Sequence, residues 1–316
     1  AAIREAKYDP TNVKTVWIAA GTYTPSATIN LFDSVSIYGG FAGTETELEQ
    51  RVKGANAWDF LNETVISGGD QIQIMYSAKA EMTEPIVIDG LTLSHGYASD
   101  ASKAAGGAMK IAKNITVQNC KVMDNTCDRT AGNGGAAGIQ VYPAGDIINC
   151  YFSGNHQTAG ANGGGAININ TSSVGHEVHI EHCVFVGNSS TVRGGGMNVQ
   201  GQTPSYINGC VFYNNRVSGN TTNPGGAIYD NSGNQTVMTN NVIYNNSGTT
   251  AVYLKPKMFA NNTVVRNAGG LYIAAGTNAS AFVNNIVWAC ATDETGTTPT
   301  SVGGVSVSGM EVMYNL

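Results

Sequence analysis

The segment His176-Glu177-Val178-His179-Ile180-Glu181-His182 puts three imidazoles beside two carboxylates. Those groups ligate metals and move protons. The spacing is not that of the helical His-Glu-x-x-His zinc motif. Only one residue separates Glu177 from His179, and that motif needs two histidines one helical turn apart. Alternating Val178, Ile180 and polar neighbours read as a strand, which sends His179 and Glu181 to one side and His182 to the other. The segment is expected to be an exposed polar strand, with no metal site.

Glycoside hydrolysis needs two carboxyl groups roughly 5–10 Å apart. Glu181 faces outward, but its equivalents in sister segments are Gln118, Ile148, Asn208 and Thr239. Asp124, Asp128, Asp146 and Asp230 show no evident partner, and Asp89 before Gly90 reads as a turn residue. A lyase acting on acidic sugars needs a base, often with calcium held by clustered acids. No acid cluster supports calcium here, and no cofactor is expected. Arg129, Arg193 and Arg216 fall on one loop edge, and Arg193, Arg216 and Glu181 are the catalytic candidates in that case. The better ordered surface is aromatic. Tyr229, Tyr253 and Tyr272 recur at one strand position and are expected to stack outward as a platform for sugar rings. A second outward row, Val211/Tyr213, Val242/Tyr244, Thr263/Val265 and Ile286/Trp288, is unusually apolar and suggests a partner or a covering segment.

These positions are set by a repeat. A closing unit, Phe-x-x-Asn or a relative, recurs at Val122–Asn125, Phe152–Asn155, Phe185–Asn188, Phe212–Asn215, Ile243–Asn246 and Val264–Asn267, and decays at Val287–Cys290. Its last positions are separated by 30, 33, 27, 31, 21 and 23 residues. A Gly-Gly unit precedes a short alternating strand at Gly106-Gly107, Gly134-Gly135, Gly163-Gly164, Gly195-Gly196, Gly225-Gly226, Gly269-Gly270 and Gly303-Gly304. Strand-built repeats of this period make a solenoid, in which stacked coils bury a continuous core. About ten coils at the ~4.8 Å strand spacing give a rod on the order of 50 Å long. The inward set is Met109/Ile111, Ile139/Val141, Ile167/Ile169, Met197/Val199, Ile228, Val252/Leu254, Leu271/Ile273 and Val305/Val307. The outward row is Lys110, Gln140, Asn168, Asn198, Tyr229, Tyr253, Tyr272 and Ser306. In the closing strands Cys and Phe face in, and the cysteine position becomes Asn241, Asn262 and Asn285 in later coils, where stacked amides can bond from coil to coil.

One domain is expected over 1–316. Residues 1–30 read as an N-terminal cap and first strand, opening with a helix-like Ile3–Tyr8. Residues 31–105 read as irregular first coils with a charged excursion at 44–62, and 106–316 as regular coils. The excursion lies too far N-terminal to be an obvious cover for the apolar row. The chain opens at Ala1 without a leader-like segment, as a mature or trimmed protein would. It stops inside a strand-like run, Val312–Leu316, so a further domain or another chain is expected over the last coil.

Composition narrows the function. The net charge is −6, charged residues are 12%, and no basic run supports nucleic-acid binding. No stretch reaches the ~20 apolar residues of a membrane-spanning helix. Cys120, Cys150, Cys183 and Cys210 each stand five residues before a closing Asn, so they form one interior ladder of small hydrophobes. No Cys-x-x-Cys pair suggests zinc.

The paired Gly225-Gly226-Ala227-Ile228 and Phe212-Tyr213-Asn214-Asn215, with their copies, resemble the polymorphic outer membrane protein repeats of bacterial surface adhesins. Val16–Tyr23 and Tyr38–Gly43 resemble the opening of related surface repeat proteins, so the likeness runs from about residue 13 to the end. It implies an all-β right-handed parallel β-helix, export to the cell surface or medium, and adhesion or binding to a polysaccharide or host-surface glycan. Polysaccharide lyases and glycoside hydrolases share the architecture, so fold alone does not choose between binding and cleavage.

Overall fold

The structure is a computed structural model that describes residues 14–102, 105–131, 135–171, 176–219, 225–233, 235–273, 280–288, 290–291, 299–300 and 310–313. The Ile3–Tyr8 segment, the Gly303-Gly304-Val305 copy with Ser306 and Val307, and the residues after Met313 lie outside them. The chain winds through three long sheets of eleven, ten and nine strands, with consecutive coils paired in parallel. This is a parallel β-helix of about ten coils. A Gly-Gly sheet contains Ile139–Val141, Ile167–Thr171, Met197–Gly201, Ile228–Asn231 and Val252–Leu254. A middle sheet contains Lys113–Gln118, Gly145–Ile148, Val178–Glu181, Ser205–Asn208 and Thr236–Thr239. A closing sheet contains Tyr151–Ser153, Val184–Val186, Val211–Tyr213 and Val242–Tyr244. A short sheet of two-residue strands follows the closing Asn, from Tyr97–Ala98 to Arg216–Val217.

The run Val178–Val186 is therefore two strands, where the repeat pattern suggested one. The break has a local cause. The residue before each Cys or Asn of the interior ladder has positive φ: Asn119 51°, Asn149 53°, His182 52°, Gly209 65°, Asn240 59°, Asn261 57° and Asn284 53°. Asn, His and Gly tolerate this left-handed conformation better than branched residues do, and it turns the chain out of one sheet into the next.

The expected inward sets are buried throughout the described coils, from Met109 and Ile111 to Leu271 and Ile273. Phe152, Phe185 and Phe212 stack at centroid distances of 4.9 and 4.5 Å. All six cysteines are buried. Burial pushes the thiols of Cys120, Cys150 and Cys183 well above their ordinary range, which makes them inert hydrophobes. The closing asparagines form a second ladder. Asn155 Nδ2 donates to Asn188 Oδ1 at 2.8 Å and to Val122 O at 2.8 Å, and Asn188, Asn215 and Asn246 repeat the pattern. Each such bond contributes about 1 kcal/mol net, and leaving the buried amide unpaired costs more. Asn241 and Asn262 pair the same way where the thiol ladder ends, at 2.9 Å.

One inward position departs from this pattern. Asp230 stands in register with Val199 inside the core and is fully buried. Its Oδ1 accepts the Ser232 N–H at 2.9 Å, whereas its Oδ2 has no partner among the described residues. Burial raises its carboxyl above the ordinary value.

The excursion at 44–62 is anchored by Arg51. Its guanidinium donates to Gly39 O and Asp89 Oδ1, both at 2.9 Å, and lies 4.8 Å from the centre of the Phe60 ring. Asp89 is thus a buried ion-pair partner at the end of the strand Glu81–Asp89, not the turn residue expected. Trp58 stacks on Tyr151 at 5.6 Å and Asp59 pairs with Lys121 at 3.2 Å. The excursion therefore reaches the same outer face of the closing sheet on which Val242, Ile286 and Trp288 stand exposed further along.

Candidate functional site

The outer face of the middle sheet gathers chemistry from consecutive coils. Ile147 and Ile180 are buried inward, so Asp146 and His179 turn outward, and the strand register sets them side by side. Tyr206 follows His179 in the same row. Lys113 and Gly145 open two of these strands, and Glu177 immediately precedes Val178 at the start of a third. Gly145 adopts φ 144°, a backbone conformation that favours glycine, and a Cβ there would stand 2.7 Å from Ile111 Cδ1.

At the starts of these strands lies a cavity of about 460 Å³, lined by Lys113, Asn114, Ala144, Gly145, Asp146, His176, Glu177, His179 and Pro204. Its charged groups are arranged closely. Lys113 Nζ is 2.8 Å from Glu81 Oε1, and this contact holds the Glu81 carboxyl below its ordinary value. His179 Nε2 lies 3.4 Å from Glu177 Oε2, and its Nδ1 lies 3.9 Å from Glu181 Oε1. The imidazole stacks on Tyr206 at 4.9 Å with 12° between the rings. Tyr206 Oη donates to Glu177 Oε1 at 3.4 Å. Burial, then Glu177, raises the Tyr206 phenol. Burial also raises the Asp146 carboxyl, against the opposing pull of His179. His176 Nδ1 is buried without a hydrogen-bond partner among the described residues.

The sequence candidates fall elsewhere, with one exception. Glu181 stands at the rim, beside His179. Arg193 donates to Asn162 Oδ1 and lies over the Tyr229 ring at 4.8 Å. Arg216 is exposed on the short sheet. Neither arginine lines the cavity. Arg129 donates to the Ser102 carbonyl at 2.9 Å, the part of a loop arginine. The tyrosines do stack, Tyr229 on Tyr253 at 5.0 Å and Tyr253 on Tyr272 at 4.9 Å, but the open platform expected of them is corrected. Tyr229 and Tyr253 are each only 6% exposed. Their faces are taken by one another, by Arg193 and by Lys255, whose Nζ is 5.8 Å from the Tyr253 centroid. Gln140, Asn168 and Asn198 of that row are buried too: Asn198 Nδ2 donates to Asn168 Oδ1, and Asn168 Nδ2 donates to Gln140 Oε1 at 2.8 Å.

Asp146, His176, Glu177 and Lys113 were not assembled from the sequence, although a signal existed. Asp146 precedes its closing Asn155 by nine residues (155 − 146), and His179 precedes Asn188 by nine (188 − 179). That count alone puts a carboxylate and an imidazole in one row on adjacent coils.

Parallel strands stacked coil on coil are also what the family comparison finds. Residues 131–308 match a family described as right handed beta helix region. The chain belongs to that family. A search of curated proteins found no match, and a search of solved structures found none. In this right-handed β-helix no helix among the described residues is long and apolar enough to cross a membrane. Among the described residues no three His, Cys, Asp or Glu side chains are grouped to hold a metal ion. The cavity lining offers hydrogen-bond donors and acceptors, and it sets a carboxyl raised by burial beside an imidazole in the adjacent coil.

Proposed function

We propose that this β-helix is a bacterial surface or secreted protein that binds carbohydrate, and that the cavity over the middle sheet is its saccharide site. The cavity is the observation that supports this reading most. Its volume lies within the roughly 300–1,000 Å³ of small-molecule sites, and its lining holds both donors and acceptors. The resemblance to polymorphic outer membrane protein repeats supports adhesion and an extracellular location. Glycan-array binding followed by titration calorimetry tests the proposal. Glu177→Gln and His179→Ala are expected to weaken saccharide binding at least tenfold while the melting temperature stays near that of the unaltered protein. If no glycan binds, or if both variants bind as the parent does, the proposal is wrong.

A second reading, glycoside hydrolysis, rests on one observation. Asp146 carries a carboxyl raised by burial while Glu177 brings another carboxylate to the same cavity from the next coil, and such a divided pair supplies an acid and a base. Release of reducing ends by the wild type and its loss in Asp146→Asn would establish cleavage. Binding without release would leave the protein an adhesin. The lyase alternative has less support, since the cavity offers no arginine and its one lysine is already paired.

A further inference from the structure

The charges around the cavity do not balance. Among the described residues Lys113 is the one permanently cationic side chain in its lining, and Glu81 already occupies it at 2.8 Å. Asp146 and Glu177 face the same space with no cation of their own. Glu181 adds a further carboxylate at the rim, 3.9 Å from His179. The groups that do meet these carboxylates are one imidazole and one phenol, His179 and Tyr206, which bring no fixed positive charge. A uronate or sulfated sugar entering here would meet carboxylates of its own sign and find no free guanidinium or ammonium to pair with.

From this we infer that the cavity selects a saccharide carrying a protonated amine, an oligosaccharide of unsubstituted hexosamine, over neutral and acidic sugars. The inference rests on the saccharide-binding reading and narrows it. An ammonium on the sugar supplies the cation that Asp146 and Glu177 lack, and its three N–H donors match acceptors from two adjacent coils. The sugar hydroxyls are left for His179 and Asn114. The raised carboxyl of Asp146 fits the same arrangement, because an ammonium beside a desolvated carboxylate favours its ionised form.

Titration calorimetry at neutral pH separates saccharide binding from amine selectivity. The probes are glucosamine oligosaccharides, their fully N-acetylated counterparts and galacturonate oligomers of equal length. The expected result is binding of the glucosamine series at least tenfold tighter than the N-acetylated series, no binding of galacturonate, and a preference that weakens as salt is raised. Glu177→Gln should reduce the glucosamine preference at least tenfold while the weaker binding of the N-acetylated series persists. A second variant, Asp146→Asn, should act in the same direction, and circular dichroism should show both folded. If the N-acetylated or galacturonate oligomers bind as well as or better than glucosamine, the amine selectivity is wrong while saccharide binding stands. If none of the three binds, both readings fall.

Discussion

On the Gly-Gly sheet Tyr229, Tyr253 and Tyr272 stack ring on ring; on the middle sheet His179 and Tyr206 stack in the same manner, at nearly the same 4.9 Å spacing. Both rows face away from the core, and both arise because a parallel coil sets like positions above one another. Their surroundings separate them. The tyrosines are enclosed by one another and by Arg193 and Lys255, and they bury large apolar area. The His179–Tyr206 pair borders open space, and its polar atoms meet the carboxylate of Glu177, which stands just before the strand. An outward position in a β-helix is thus not yet a surface. What the connecting turns do beside it decides whether a stacked row becomes packing or a site.

Stability measurements can break this contrast. Tyr253→Ala removes the middle ring of an enclosed stack and should cost about 3 kcal/mol in urea unfolding, in line with large-to-small changes of buried aromatics, while saccharide binding by the folded fraction is unchanged. A loss of binding without loss of stability would return the tyrosines to the ligand. Asp230→Asn is a smaller probe of what enclosure does to a carboxyl. In the wild type the unfolded chain ionises first as pH rises past the ordinary value of 3.8, while the folded carboxyl is still protonated. Stability is therefore lost between that value and the raised one. The amide does not titrate, so the variant should be more stable than wild type at pH 7, by on the order of 1 kcal/mol, the scale of an ordinary single substitution. The difference should shrink below pH 4. A difference independent of pH would show that the carboxyl is not held protonated. The smallest change in stability is expected for His179→Ala, within about 0.5 kcal/mol as for an ordinary surface position, and a large drop in melting temperature there would make the middle-sheet row structural after all.

The fold was legible because the repeat states it many times. Phe152, Phe185 and Phe212 mark the core, and Asn125, Asn155, Asn188 and Asn215 mark the corner that carries the amide ladder. The three-sided section was not, since a left-handed residue such as His182 or Asn149 inside an apolar run leaves the period-two pattern almost untouched. The cavity was harder still. Glu177 and His176 come from a turn of irregular length, and periodicity carries no information about where such a turn lays its side chains. Asp146 and His179 lie 33 residues apart and become neighbours only through register. The enclosure of Tyr229 was hidden for the same reason: Arg193, which covers it, comes from the loop of the preceding coil.

The ladder of closing asparagines also has a polarity. Each side-chain amide presents its oxygen to the coil before it and hands its N–H to the oxygen of the coil after it, as Asn125 does to Asn155 at 2.8 Å and Asn246 does to Asn267 at 2.9 Å. At the next step Asn267 Nδ2 meets the thiol of Cys290 at 3.9 Å. Sulfur accepts weakly and a thiol has no amide to pass along. The series then behaves like a polymer grown in one direction, in which each monomer is the template for its successor and Cys290 is a chain terminator. Replacing that cysteine by asparagine would reopen the growing end for the amide of an added coil.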